Sequence, residues 1–265
     1  MLPERKEVLG VGVHPLTLSE AVAVIGGWIR EYRSCGKGTE KQADAPECSA
    51  DSSWVTRQVV TLNAEILYHA QHDPRLRDLL NKADLVVPDG YGVIWAGRRF
   101  GHRFPEQVAG IDLVSALAAA GSAEGWRFFL LGAAAGVAEE AAANLVKRAP
   151  GLQVVGTHHG YFSQDEEATV LKKVREASPD ILLVALGAPK QEFFINRHKE
   201  RLGACVAIGV GGSFDVLSGR VPRAPLFLRK LHLEWLYRIS RDPSRWGRAL
   251  ALPRFAWVVL RKTLF

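Results

Sequence analysis

The chain has 265 residues, 48% of them hydrophobic, so it can bury a sizeable core and is not disordered throughout. Its net charge of +6 is uneven: residues 220–265 hold eleven Lys and Arg against two acids, a net +9, and residues 1–219 carry −3. This asymmetry excludes a uniformly basic protein and favours an anionic partner, either a nucleic acid or a membrane surface.

Apolar runs alternate with helical patterns along the chain, starting with a helix that we expect Ser19 to cap. The predicted strands cover 8–13, 59–62, 85–87, 128–131, 153–157, 181–186 and 205–210. The predicted helices cover 20–32, 64–71, 75–81, 91–100, 111–120, 137–148, 165–177 and 190–201. Continuously apolar strands separated by helices of this length predict a parallel sheet covered on both faces.

Two segments interrupt or flank this pattern. Residues 34–53 are small and polar without periodicity, which predicts a surface loop or a disordered insertion. The N-terminus lacks a long apolar run, so we expect no signal peptide. The uncharged stretch 202–214 has 13 residues, fewer than the roughly 20 that span a bilayer. Cys35, Cys48 and Cys205 lack metal-ligand spacing; Cys35 and Cys48 could pair, but an odd number favours a reduced cytosolic setting.

Most glycine-rich turns follow the predicted strands, at the edge where ligands of parallel sheets bind. Asp89, between Pro88 and Gly90, follows one such strand. It is either a turn residue that caps the next helix, or a carboxylate held at the ligand crevice, where it can take a proton from a hydroxyl. The residues alone leave both interpretations open.

Other polar and glycine positions on this edge also have two interpretations. Gly132 begins a glycine-alanine turn. The turn either offers backbone N–H groups to a phosphate or is a tight strand-to-helix connection that needs small residues. Lys190, Gln191 and Glu192 either bind an anion or sugar hydroxyls at a helix N-terminus, or form a solvated first turn. Asp215 either caps a helix or orients a substrate. The dinucleotide and P-loop fingerprints are absent, and no His or Asp-x-Asp set has ligand spacing, so we expect no metal site.

The C-terminal segment combines arginines, aromatics and prolines. Pro222, Pro225, Pro243 and Pro253 divide it into short helices. Trp235, Trp246 and Trp257 recur every 11 residues, a spacing that nearly keeps one helical face, although the prolines break the strict phase. An arginine stripe follows the spacing of a helical surface: Arg238, Arg241, Arg245 and Arg248. This composition favours a segment lying on anionic lipid. Plain packing with a solvated basic face and a nucleic-acid patch stay open, although no helix-turn-helix, zinc-finger or RNP pattern is visible.

Six blocks in this order resemble the WecG/TagA/CpsF family of bacterial glycosyltransferases: T-L-N-A-E at 61–65, P-D-G-Y-G at 88–92, V-A-G-I-D-L at 108–113, L-G-A-P-K-Q-E at 186–192, G-V-G-G-S-F-D-V-L-S-G at 209–219 and E-W-L-Y-R at 234–238. The resemblance implies a Rossmann-like α/β core over 1–219 and a basic helical appendage over 220–265 that associates with the membrane and completes the active site. It also implies a peripheral enzyme at the inner, cytoplasmic face of the cell membrane.

The implied reaction is an inverting, metal-independent transfer of a sugar from a UDP-sugar to a sugar on undecaprenyl diphosphate, with no cofactor. The main expectation is transfer of N-acetylmannosamine to N-acetylglucosamine for wall teichoic acid. Glucose, glucuronic acid or mannosaminuronic acid for exopolysaccharide or capsule is the alternative, and a nucleic-acid-binding α/β protein is a remote one. The oligomeric state stays open, a homo-oligomer included.

The resemblance also implies roles for single residues. Asp89 matches the catalytic base and Thr61 a neighbouring active-site residue. The remaining matches and expectations are substrate-binding: Asn63, Gln107, Gly132, Lys190, Gln191, Gly212, Asp215, Arg238, Arg245 and Arg248. The family usually has Glu-Arg where this chain has Glu106-Gln107. Glutamine keeps hydrogen bonding and lacks the charge, which leaves the donor sugar open.

Overall fold

The structure is a computed structural model that describes residues 2–36, 54–231, 234–241 and 251–264. Its strands are β1 (Lys6–Val8), β2 (Val11–Val13), β3 (Arg57–Leu62), β4 (Leu85–Pro88), β5 (Arg127–Gly132), β6 (Gln153–His158), β7 (Ile181–Ala185) and β8 (Val206–Gly209). Its helices are α1 (Leu18–Ser34), α2 (Ala64–Ala70), α3 (Pro74–Lys82), α4 (Tyr91–Arg99), α5 (Gly110–Glu124), α6 (Val137–Arg148), α7 (Gln164–Ala177), α8 (Lys190–His198), α9 (Ser213–Leu217), α10 (Leu226–Lys230), α11 (Glu234–Arg241) and α12 (Ala251–Leu264).

Strands β3 to β8 form one parallel sheet in the order β4-β3-β8-β7-β5-β6. From β3 the chain continues to β4, which pairs with β3 on one side. The last strand, β8, pairs with β3 on its other side. The carboxyl ends of β3, β4 and β8 therefore meet where the strand order changes direction, which is where ligands of such sheets bind.

Both faces of the sheet are covered, because neighbouring strand residues point to opposite sides. Val59, Leu130 and Leu183 pack into a cluster with α1, α5 and α6. Val60 and Val86 pack into a second cluster with α2, α3, α4 and α12, and the other half of that face holds α7 and α8. Each fully buried strand side chain contributes about 1.5–3 kcal/mol relative to an exposed one. The predicted α/β class with helices on both faces is confirmed.

Two local predictions near the N-terminus are wrong. Residues 8–13 are not one strand: the chain reverses at Leu9 and Gly10, both with positive φ, so β1 and β2 pair antiparallel outside the main sheet. Ser19 does not cap α1. The Thr17 hydroxyl accepts from the Glu20 N–H and the Glu20 carboxylate accepts from the Thr17 N–H, a capping box that starts the helix at Leu18.

The C-terminal segment forms helices, as the prolines predict, but Pro253 does not end one. It lies in the first turn of α12, where a missing N–H costs no helical hydrogen bond. Trp235 and Trp257 lie on different helices, so they do not share one helical face. Phe255 and Val259 of α12 are buried against α2 and α4, so this part of the appendage packs onto the core.

Several predictions concern residues that the structure does not describe. Most of the 34–53 insertion, with Cys48, lies outside the described residues, as do Trp246, Arg245 and Arg248. The backbone of Arg238 belongs to α11, but its side chain is outside the described part. Among the helices that are described, none is long and apolar enough to cross a membrane.

Candidate active site

A cavity of about 580 Å³ opens at the carboxyl ends of β3, β4 and β8. The loops after these strands and after β7 form its floor, and α4, α10, α11 and α12 contribute to its walls. Six of the predicted site residues line it: Thr61, Asn63, Asp89, Gln107, Gln191 and Gly212. The predicted clustering of the glycine-rich turns on one edge is therefore confirmed by the fold.

Asp89 is half-buried at the end of β4. It does not cap α4, because the N-terminal cap residue of that helix is Gly90. Its backbone N–H donates to the Leu62 carbonyl at 2.7 Å, which fixes the turn to the end of β3. Its carboxylate oxygen Oδ2 accepts from the Gly110 N–H at 3.3 Å, at the first turn of α5. The positive end of a helix stabilises a carboxylate, so this contact favours an ionised Asp89 that can accept a proton.

Thr61 and Asn63 flank Asp89 from the end of β3. The Thr61 hydroxyl donates to the Gly209 carbonyl at 2.9 Å, so its oxygen is left as an acceptor for a ligand hydroxyl. Gly110 leaves room between these groups: a Cβ there would be in tight contact with the Thr61 hydroxyl, at 3.3 Å, and in ordinary contact with the Asp89 carboxylate, at 3.5 Å. Asn63 caps α2 by accepting from the Ile66 N–H at 2.9 Å.

Gln191 and Glu192 form a buried pair beneath the loop that follows β8. The Gln191 amide oxygen accepts from the Gly211 N–H at 3.0 Å, and its amide nitrogen donates to the Glu192 carboxyl at 2.8 Å. Gly209 leaves room for this pair, because a Cβ there would lie 2.8 Å from the Gln191 nitrogen. Desolvation by burial raises the pKa of Glu192 to about 7, with a small further contribution from the Glu65 charge. The pair therefore holds the Gly211-Gly212 loop in place.

The C-terminal segment adds cationic groups to the site. Arg229 of α10 is the one basic side chain among the described residues that line the cavity, and its buried Nε has no hydrogen-bond partner within that part of the chain. Arg223 makes two bonds to the Asp112 carboxylate, of 2.7 and 2.6 Å, which raise the pKa of Arg223. The Arg223 charge also interacts with Asp89, so this pair ties the start of the segment to the helix that holds the Asp89 carboxylate.

Three predicted residues do not line the cavity. Gly132 serves close packing, because a Cβ would lie 2.4 Å from the Ala185 carbonyl oxygen. Lys190 lies over the Phe162 ring, 5.9 Å from its centroid, and lines a separate surface depression with Arg75 and Arg197. Asp215 lies in α9, where its charge interacts with Arg220.

Gln107 lines the cavity as an exposed side chain of the loop between α4 and α5. The neighbouring Glu106 accepts from the Leu18 N–H and anchors this loop to the start of α1. Within the described ranges no group of three or more His, Cys, Asp or Glu side chains is placed to hold a metal ion. Metal independence stays a prediction.

Sequence reasoning missed the apolar part of the lining and Arg229. Trp95 of α4 and Phe255 of α12 meet edge to face, with ring centroids 6.4 Å apart, and both line the cavity. A helical pattern predicts that each is on a buried face, but it gives no sign that the two faces meet. The sequence signal for Arg229 was the basic character of the C-terminal segment. That segment has eleven Lys and Arg residues, and no pattern distinguishes Arg229 from the others.

A parallel sheet with a carboxylate, a hydroxyl and glycine-rich loops at its carboxyl edge defines an α/β protein with a ligand cleft at the switch in strand order. The family model of the glycosyl transferase WecG/TagA/CpsF family matches residues 42–265. The chain belongs to this family of glycosyltransferases, as the six sequence blocks predicted. Family membership does not favour the nucleic-acid alternative.

Individual relatives agree with this assignment. The chain is 39% identical over 203 residues to a protein of Bacillus spizizenii (strain ATCC 23059 / NRRL B-14472 / W23), a match that covers 77% of this chain and 78% of the relative. It is 36% identical over 204 residues to one of Bacillus subtilis (strain 168), covering 77% and 79%. A Staphylococcus aureus (strain MW2) protein matches at 36% over 203 residues, with the same coverage. All three are named N-acetylglucosaminyldiphosphoundecaprenol N-acetyl-beta-D-mannosaminyltransferase.

Proposed function

We propose that this glycosyltransferase moves N-acetylmannosamine from its UDP-sugar to N-acetylglucosamine on undecaprenyl diphosphate, with inversion at the anomeric carbon. The names of its relatives support the two sugars and the lipid carrier. The observation that carries the proposal is the Asp89 carboxylate, held by the Gly110 N–H in a cavity that it shares with the Thr61 hydroxyl.

The reaction is a single displacement. Asp89 takes the proton of the acceptor hydroxyl while that oxygen forms a bond to the anomeric carbon of the donor sugar. The bond from this carbon to the β-phosphate oxygen breaks, and UDP leaves with the electron pair. Thr61 accepts a hydrogen bond from a sugar hydroxyl. The loop that Gln191 holds through the Gly211 N–H offers the backbone N–H of Gly212. Arginine side chains stabilise the charge of the departing diphosphate, so that no metal or cofactor is required.

The enzyme works at the inner face of the cell membrane as a peripheral protein. Large apolar side chains are 38–65% exposed on its C-terminal helices: Leu226, Phe227, Leu231, Trp235, Leu236, Trp257 and Leu260. Exposed apolar groups beside many arginines are typical of a segment that lies in an anionic membrane surface. Flotation with vesicles tests this part: anionic vesicles should carry the protein, and high salt should weaken the binding. Equal flotation with neutral vesicles would exclude the electrostatic contribution.

A donor screen tests the reaction itself. UDP-N-acetylmannosamine, UDP-N-acetylglucosamine, UDP-glucose and UDP-glucuronic acid are each incubated with a synthetic N-acetylglucosaminyl diphosphate lipid, with and without EDTA. We expect acceptor-dependent UDP release and a disaccharide product with UDP-N-acetylmannosamine, unchanged by EDTA. A clear preference for another donor would overturn the sugar assignment. Loss of activity in EDTA with recovery on adding Mn²⁺ would overturn the metal-free mechanism.

A further inference from the structure

The cavity has two chemically different parts. Thr61, Asp89 and Gln191 give the floor hydroxyl, carboxylate and amide groups. The wall between α4 and α12 is apolar and is formed by Trp95, Leu252, Phe255 and Ala256. We call these four residues the apolar wall. A floor of polar groups is suited to sugars, but the apolar wall offers them few hydrogen-bond partners.

The apolar wall is built into the fold and is continuous with the floor. Tyr91 and Trp95 lie four residues apart on α4, the helix that starts two residues after Asp89, so the same helix face leads from the carboxylate to the wall. Phe255 is buried, and its ring carbon lies 3.6 Å from the Cβ position of Gly92. α12 therefore packs directly on α4 and closes this side of the cavity.

The apolar wall also continues outward. Trp235 of α11 lines the cavity and is 46% exposed, and it is next to Leu236, which is 48% exposed. Leu226 and Phe227 of α10 are exposed as well. Trp235 therefore offers an apolar ligand a contact at the exposed edge of the cavity, on the segment that holds these other exposed apolar side chains.

The two substrates of the proposed reaction differ in what they present to such a wall. The donor is a nucleotide and a sugar, both rich in hydrogen-bonding groups. The acceptor has a prenyl chain directly attached to its diphosphate. Arg229, the basic group among the described lining residues, is available to that diphosphate through charge-assisted hydrogen bonds.

We propose that the apolar wall binds the first isoprene units of the acceptor lipid while the acceptor sugar lies on the polar floor at Asp89. This inference rests on the proposed function. It assigns the wall a specific task, because the enzyme then recognises the start of the chain directly and not only through the membrane in which the lipid is embedded.

A membrane-free assay separates these two kinds of recognition. N-acetylglucosaminyl diphosphate carrying a methyl, a five-carbon prenyl or a ten-carbon geranyl group is used in detergent-free buffer at concentrations where none of the three aggregates. We expect kcat/KM to rise at least about tenfold from the methyl to the geranyl acceptor, since each buried methylene group strengthens binding several-fold.

Variants locate the effect. Leu252→Ser should reduce the geranyl-to-methyl ratio of kcat/KM toward one. Because serine also loosens the packing of α12, Ala256→Phe serves as a second variant that fills the wall without removing packing, and it should lower the ratio as well. Trp257→Ala is the matched control: Trp257 lies on the same helix, is 61% exposed and does not line the cavity, so its ratio should equal that of the wild type.

The outcomes distinguish the inference from the proposed function. Equal kcat/KM for all three acceptors in the wild type would show that the wall does not bind the lipid, while transfer itself stands. A ratio changed as much by Trp257→Ala as by Leu252→Ser would also overturn the inference. If no acceptor is glycosylated, the proposed function is wrong. Stabilisation against heat by geranyl diphosphate and not by inorganic diphosphate would then still reveal a prenyl site, and equal shifts would exclude one.

Discussion

The sheet and the C-terminal helices use the same apolar residue types in opposite ways. Leu183, Val184 and Ile208 have no exposed surface and pack against helices on both sides of the sheet. On α10 and α12, Phe227 and Trp257 are more than 60% exposed. In the core, apolar side chains pack against other parts of the chain, whereas in the C-terminal segment several large ones are exposed on the surface.

The chemistry follows the same division. Polar groups at the ends of β3, β4 and β8 form a floor that is rigid because buried strands hold it. The C-terminal helices add Arg229, Trp235 and Phe255 from the other side. The cavity lies where the two regions meet, so a substrate with a polar and an apolar end can use both.

Asp89→Asn should lower the transfer rate by at least about 10²-fold, because the amide cannot take the proton of the acceptor hydroxyl. The amide oxygen can still accept from the Gly110 N–H, so the thermal unfolding midpoint should stay close to that of the wild type. Transfer is measured as acceptor-dependent UDP release. Asp165→Asn, at an exposed position of α7, is the control and should react like the wild type. Wild-type turnover by Asp89→Asn would remove Asp89 from its role as base.

Glu192→Gln should change the pH dependence of stability. The folded protein keeps a proton on Glu192 up to about pH 7, whereas the unfolded chain releases it near 4.5, so the wild type loses stability as pH rises through this window. The loss amounts to about 3 kcal/mol, and the amide variant should not show it.

Urea unfolding of both proteins at pH 5 and pH 8 measures this difference in the free energy of unfolding. Glu200→Gln, at an exposed position, should follow the wild-type curve. Parallel curves for the wild type and Glu192→Gln would mean that the carboxyl is not held protonated in the fold.

Arg229→Ala should lower kcat/KM about 10- to 100-fold, as expected when a charged hydrogen-bond donor to a diphosphate is lost. Arg229→Lys should recover part of this loss, since it keeps the charge without the planar fork. Steady-state kinetics with a soluble acceptor measure the effect without a contribution from membrane binding. Arg254→Ala, exposed on α12 and outside the cavity lining, is the control. Equal losses in both arginine-to-alanine variants would show that only the overall charge of the segment matters.

The Arg223–Asp112 pair should contribute about 1 kcal/mol, because its two short bonds are partly exposed to water. A double-mutant cycle with Arg223→Ala and Asp112→Ala, followed by urea unfolding, measures the coupling. Additive effects of the two substitutions would mean that the pair does not hold the C-terminal segment to α5.

The sheet could be predicted from the sequence more completely than the C-terminal helices. The strands of the sheet are continuously apolar, so their positions and the cluster of turns at their ends follow from local patterns. The hairpin of β1 and β2 was missed because the positive φ of Leu9 divides a run of valines that otherwise matches one strand. For Glu192 the sequence left a binding role and a solvated first turn open, and its burial has no local signal because it depends on the packing of β8 against α8.

The apolar wall could not be predicted for a different reason. It depends on contact between α4 and α12, whose residues Trp95 and Phe255 are 160 positions apart in the chain. Both helices have ordinary apolar faces, and no local signal says that these faces meet at the mouth of the cavity. Arg229 could not be predicted either, because no local signal distinguishes it from the other basic residues of the C-terminal segment.

The most direct test of the central claim is product analysis of one reaction, with UDP-N-acetylmannosamine and a geranyl diphosphate-linked N-acetylglucosamine in the absence of a membrane. Mass spectrometry and NMR should show one UDP released for each disaccharide formed and a β-linkage between the two sugars, with product formed at least about 10²-fold more slowly by Asp89→Asn. Retention of the donor's anomeric configuration, or UDP release without a disaccharide, would contradict a direct displacement at the edge of the sheet.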